Sequence, residues 1–278
     1  MEYYENLGLT SEPFSTSPDP TFFFHSREHR ECLNRLEIAI RLRRGLSVIL
    51  GSVGMGKTTV SRLLIKKFAN EQSGFIIRLI LDPTFKSEFE FIKTLTNSFG
   101  IQTTARSTFE YKNELQNYLL QKGVKENKII VLIIDEGQKL TPTYIEVLRT
   151  LLNYETNEYK LLQLVIFAQQ EFLHKMKRQP NFIDRVSLGY VINPLNEEDT
   201  RGLIRFRLRK AGMPREKTFF TDKAMLEIHA QSQGYPRRIT RLCHDALIKM
   251  IREEKKMVDV KIVRSMADKE ITWNVFSG

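Results

Sequence analysis

Three short stretches hold residue types whose spacing could do chemistry. The first, Gly51-Ser52-Val53-Gly54-Met55-Gly56-Lys57-Thr58-Thr59, fits Gly-x-x-x-x-Gly-Lys-Ser/Thr in full. Gly51, Gly54 and Gly56 let the backbone take conformations closed to other residues, so successive N–H groups can turn into one concavity. A helix opening near Lys57 adds its positive N-terminal end. Lys57 supplies a mobile charge for outer phosphates, and the Thr58 hydroxyl is placed to ligate Mg2+. The bland alternative is a glycine-rich turn. An apolar strand before the loop and a helix after it favour a phosphate cradle, and the ligand it implies is a nucleoside triphosphate with Mg2+.

The second stretch, Ile129-Ile-Val-Leu-Ile-Ile134-Asp135-Glu136, ends a buried strand on two carboxylates. Asp135 there would hold Mg2+ through water, and Glu136 would polarise an attacking water. Alone it reads equally well as an acidic turn; beside a phosphate loop it points to hydrolysis. The third group is scattered. Gln169 follows the strand Leu161–Phe167, where its amide could reach a terminal phosphate or the attacking water. Arg185 precedes the strand Val186–Ile192 and could act on a nucleotide held by a neighbouring subunit. Gly234-Tyr235-Pro236-Arg237-Arg238 opens a helix from which Arg237 could swing onto bound phosphate. A loop amide and surface charges are the alternatives for these three.

Regular elements must position these groups. Leu46–Leu50, Phe75–Leu81, Ile129–Ile134, Leu161–Phe167 and Val186–Ile192 read as strands, the last an edge or outer one. Helical spacing covers Arg27–Arg43, Val60–Asn70, Ser87–Phe99, Phe109–Lys122 and Thr143–Asn153, with Ser87 capping and Glu90 three residues on. Such alternation implies an α/β fold built on a parallel sheet with right-handed crossovers. After Pro194 only helices are expected: Glu197–Ala211, Thr221–Gln233, one carrying the stripe Ile239, Leu242, Cys243, Ala246, Leu247 and Met250, and Asp259–Glu270. The expected division is therefore a Pro/Phe-rich arm at 1–28 packed on the core, a nucleotide-binding domain at 29–194 and a helical lid at 195–278.

Composition bounds the rest. At 278 residues, 41% hydrophobic and 27% charged, the chain suits one large α/β domain and a smaller one. Its longest apolar runs are too short to span a bilayer, and the N-terminus lacks the pattern of a secretory signal, so the expected compartment is cytoplasmic. Cys32 and Cys243 can form neither a disulfide framework nor a zinc site alone. Net charge is +10, and from Asn196 onward 18 Lys/Arg face 12 Asp/Glu. That surplus, with Arg205, Arg207, Arg209 and Lys210 on one segment, reads either as a DNA or anionic-membrane contact or as a solvated basic surface.

The loop, the Asp-Glu strand end and the Gly-x-Pro-Arg of the helical region together resemble the AAA+ ATPases. Leu7-Gly8-Leu9, Pro13-Phe14, Pro18-Asp19-Pro20-x-Phe22-Phe23-Phe24-x-Ser26-x-x-His29, Leu151-Leu-Asn-Tyr-Glu-Thr156 and the strand ending at Gln169 narrow the resemblance to the ExeA/GspA group. It covers nearly the whole chain. The resemblance implies a P-loop parallel sheet with a small helical lid, Lys57 and Thr58 in Walker A, and Asp135 and Glu136 in Walker B. It further implies Gln169 as sensor 1, Arg185 as an inter-subunit arginine finger, Arg237 as sensor 2, and Ser26–His29 bordering the adenine. An ATP-dependent homo-oligomer working on secretion or pilus machinery is the expected assembly. TnsC-type and MuB-type transposition regulators share the ATPase core, which keeps DNA as an alternative partner. Two departures stand out. Ala168-Gln-Gln-Glu-Phe172 replaces the usual Gly-Gln-Pro-Glu-Leu, so the local turn is expected to differ. No transmembrane helix or peptidoglycan-binding domain follows Gly278, which suits either a stand-alone member or the cytosolic part of a longer protein.

Overall fold

The computed structural model describes residues 3–15, 20–69, 71, 74–214 and 216–270. The Pro18-Asp19 pair of the arm motif lies outside them. The chain divides into two compact units, His29–Ile192 and the combination of Met1–Glu28 with Asn193–Gly278.

In chain order the first unit contains α1 (Arg27–Arg41) from His29 on, β1 (Leu46–Leu50), α2 (Lys57–Ala69), β2 (Phe75–Ile80), α3 (Glu88–Ser98), α4 (Thr108–Leu120), β3 (Ile129–Ile134), α5 (Pro142–Leu151), β4 (Leu162–Ala168), α6 (Glu171–Lys177), α7 (Pro180–Ile183) and β5 (Val186–Val191). All strand pairings are parallel, in the order β2-β3-β4-β1-β5. The unbroken apolar runs occupy the middle of the sheet, where β1 and β4 are buried at every position and β3 at all but its first. Such runs have no polar face to offer water, so only a central place suits them. At one edge β5 alternates half-buried and exposed residues. Ser87 caps α3 by accepting from Glu90 N at 3.2 Å, and Ser107 with Glu110 forms a full capping box at α4. α4 runs on into a turn of π-helix at Gln121–Lys125.

The second unit holds α8 (Glu197–Lys210), α9 (Asp222–Ser232), α10 (Pro236–Arg252) and α11 (Val260–Glu270). The α10 stripe from Ile239 to Met250 is buried throughout, Cys243 included, and burial pushes that thiol well above its usual range. Gly234, at φ 73°, stands so close to Leu195 that an added Cβ would lie 2.1 Å from its carbonyl oxygen.

The buried side chains of the arm belong to the core of the helical unit. Leu9 and Phe14 join Leu203, Leu208, Phe220 and Leu247 in one apolar cluster, with the Phe14 and Phe220 rings edge to face at 5.9 Å. Thr10 N donates to Ala211 O at 2.8 Å, and Phe24 packs against Gly202 of α8. The physical reason is area: four short helices enclose a small core, and the arm's aromatic side chains complete it.

Candidate nucleotide site

Parallel strands bring all their C-terminal ends to one edge of a sheet. Here β1 runs out into Gly51, β4 into Gln169 and β3 into Asp135, with Leu50 opposite Ala168 and Ile134 opposite Ile166. The order places β4 between the loop strand and the carboxylate strand. Two strand spacings, about 10 Å, then separate loop from carboxylates, enough for a terminal phosphate, a cation and a water, with Gln169 at the midpoint. The structure thus brings together three of the predicted groups: residues 51–59, Asp135-Glu136 and Gln169.

Within the loop, Gly54 and Gly56 take φ of 80° and 84°, which a side chain would resist. Gly51 is not among the residues with positive φ, and a Cβ there would meet only ordinary contacts at 3.5 Å and beyond. The expectation that all three glycines are conformationally required is corrected to two. Ser52 and Met55 close a tight turn, Met55 N to Ser52 O at 3.4 Å, with the Met55 side chain buried beneath it and Val53 exposed at its tip. Thr58 and Thr59 follow on the first turn of α2.

Lys57 is only 7% exposed, and its ammonium donates to Gly51 O at 2.7 Å and Ser52 O at 3.0 Å. Burial pushes its pKa below the usual lysine range, while Glu136, Asp135 and Glu171 pull the other way. A cation resting on neutral carbonyls is under-compensated, and a phosphate oxygen is a stronger acceptor.

Asp135 is 1% exposed, and one of its carboxylate oxygens accepts from Glu136 N at 2.9 Å. Glu136 sits in the left-handed region at φ 53° and ψ 37°, a conformation disfavoured for a side-chain-bearing residue. Next to it, Gly137 is required by crowding, since a Cβ would come within 2.3 Å of Ile166 Cγ2 on β4. Gln138, which the sequence reading passed over, ties the site together. Its Nε2 donates to the Glu136 carboxylate, and its Oε1 accepts from Gln169 N at 3.0 Å. Lys175 of α6 donates to Gln138 O and, at 3.2 Å, to Leu140 O. The signal available was an amide two residues beyond the Asp-Glu pair.

These groups have counterparts elsewhere. A family model for the AAA domain matches residues 40–176, which include the loop, Asp135-Glu136 and Gln169. General secretion pathway protein A of Aeromonas hydrophila is 35% identical over 249 residues, 88% of this chain. The chain is an AAA+ protein related to general secretion pathway protein A. It spans 44% of that relative's length. Among solved structures, Cdc6p of Pyrobaculum aerophilum shares the fold at a TM-score of 0.65 and 15% identity, over 94% of this chain and 72% of that one. The ORC1 protein of Aeropyrum pernix, solved in complex with DNA, does so at 0.62 and 17%, over 93% and 69%.

One predicted residue of the α/β unit stands elsewhere. Arg185 immediately precedes β5, whose first residue pairs with Leu46 at the start of β1. It therefore lies at the opposite end of the sheet from the loop, about 16 Å of strand away. Its guanidinium donates to Asn153 Oδ1 and Asn181 O, each at 2.6 Å. Arg237 belongs to the helical unit, exposed on the first turn of α10 beside Arg238, which stacks on Tyr235 at 4.9 Å.

Proposed function

We propose that this protein binds Mg-ATP in the loop 51–59 and hydrolyses it, with subunits of an oligomer completing one another's sites, to drive assembly of envelope secretion or pilus machinery. The observation that carries the reading is the convergence of Gly51, Gln169 and Asp135-Glu136 on one sheet edge in the order loop, amide, carboxylates. The residues present suit the ligand. Gly54 and Gly56 shape a cradle of N–H donors, Lys57 can exchange loop carbonyls for phosphate oxygens, and the Thr58 hydroxyl and Asp135 would hold Mg2+. The cation, when bound, supplies positive charge to the phosphate oxygens. Glu136 polarises the attacking water, Gln169 orients it or the terminal phosphate, and Arg237 is the candidate to reach bound phosphate from the lid. Arg185, remote from its own loop, suits action on a neighbour's nucleotide. The secretion role rests on the relative's name and on the arm motif. Among the described residues no helix is long and apolar enough to cross a membrane.

The reading is tested by Glu136→Gln. The variant should bind a fluorescent ATP analogue as the native protein does while phosphate release falls at least a hundredfold. Undiminished turnover would remove Glu136 from the chemistry.

A second reading, ATP-dependent DNA binding, is favoured by the surface of α8. Arg205, Arg209 and Lys210 line an open cavity of about 580 Å³ with Phe24 and Phe206. Arg207, expected in that cluster, instead turns to Ser15 O at 3.0 Å. ATP-loaded protein that shows no DNA affinity at low salt, where phosphate contacts are strongest, rules this reading out.

A further inference from the structure

The middle of the phosphate loop is bonded by a residue 26 positions before Met55. His29, in the first turn of α1, is 2% exposed, and its Nε2 lies 2.8 Å from the carbonyl oxygen of Met55. That carbonyl belongs to the Met55–Gly56 peptide in the middle of the loop. In a trans peptide the C=O and the following N–H leave on opposite sides of the bond axis. Fixing Met55 O on the buried His29 side therefore sends the Gly56 N–H the other way, out of the protein. An anion cradle is made of such outward N–H groups.

A lock is needed here because this peptide is unusually free to turn over. Gly54 and Gly56 flank Met55, both at positive φ, and glycine accepts either sign of φ at little cost. A flip of the Met55–Gly56 plane would present a carbonyl oxygen where the phosphate needs a donor. Gly56 O is already engaged by Val60 N at 2.9 Å, and Met55 N by Ser52 O. Met55 O is the group of this peptide whose direction those bonds leave open. Its acceptor, buried in the interior, requires a donor in any case.

We propose that His29 is a positioning residue for nucleotide binding: its Nε2–H holds the Met55 carbonyl inward and thereby aims the Gly56 N–H at the phosphates. The inference deepens the ATP-binding reading and rests on it for its effect on affinity, though not for the lock itself. The side chain must carry its proton on Nε2, so the Nδ1–H neutral tautomer is incompatible with the role.

Three measurements test it. On the native, nucleotide-free protein, 15N shifts of the His29 ring should show a protonated Nε2; an unprotonated Nε2 overturns the proposal without any variant. Binding of a non-hydrolysable ATP analogue with Mg2+ should weaken about tenfold or more in His29→Ala. It should return to within about threefold of native in His29→Gln, whose amide Nε2 can replace the imidazole donor. In the same nucleotide-free samples the Gly56 amide resonance should move in His29→Ala and revert in His29→Gln. Native affinity in His29→Ala, or loss in His29→Gln as large as in His29→Ala, would overturn the lock. If the native protein itself bound no nucleotide, the ATP reading would fail, while the tautomer and the Gly56 amide would still decide the lock.

Discussion

Glu136 carries two demands that pull against each other. The carboxylate we propose for hydrolysis stands beside Asp135, but its backbone is left-handed, which costs a residue with a Cβ about 1–2 kcal/mol. Glycine would relieve that cost. We expect Glu136→Gly to be more stable than Glu136→Ala by about 1 kcal/mol, the reverse of the usual ranking of those two residues. Both variants lose the same carboxylate and its bond from Gln138, so the difference isolates the backbone; thermal midpoints of the two proteins without nucleotide read it. A Glu136→Ala protein as stable as Glu136→Gly would show that the left-handed turn is not strained. Lys57 also carries a penalty: burial lowers its pKa in the nucleotide-free protein, and a bound phosphate would offset that.

At the scale of elements, the sheet order does most of the positioning, and it does so through close approach of β3 and β4. Gly137 is the tightest point. Gly137→Ala would drive a methyl group into Ile166 and should destabilise the α/β unit by about 1–3 kcal/mol, measurable as a lowered denaturant midpoint. An unchanged midpoint would mean that β4 yields more easily than its buried neighbours suggest. The five strands were legible because uninterrupted apolar runs such as Ile129–Ile134 have a single sensible home, and the α10 stripe was legible for the equivalent helical reason. The order of the strands was not legible, because parallel pairing between β1 and β4 joins residues more than a hundred positions apart and leaves no local trace. α6 and α7 were missed because they are only seven and four residues long, too short to show a period. Among site residues, the glycine loop and Asp135-Glu136 carry their chemistry in consecutive letters. Gln138 bridges Glu136 and Gln169 and His29 reaches Met55 O only once the chain is folded, and the letters do not name those partners.

For the whole molecule, the remote position of Arg185 makes a prediction that one subunit cannot test alone. Arg185→Ala should lack ATPase activity, as should Glu136→Gln, yet an equal mixture should regain activity at the roughly one interface in four where both intact residues meet. No recovery on mixing would remove the trans role. The arm makes a different prediction. Phe14→Ala should cost about 3–5 kcal/mol and raise amide exchange across α8–α11 while leaving β1–β5 protected. Equal loosening of both units would show that they do not unfold separately. The shared core of arm and helices also has a consequence in time. Phe14 is synthesised roughly 180 residues before Leu195 and the helices it packs against emerge. At about 5–20 residues per second, the arm waits on the order of 10–40 s with its aromatic rings uncovered. During synthesis, therefore, the arm is made before the α/β unit yet is among the last segments to fold, and that unit is complete before the arm finds a place.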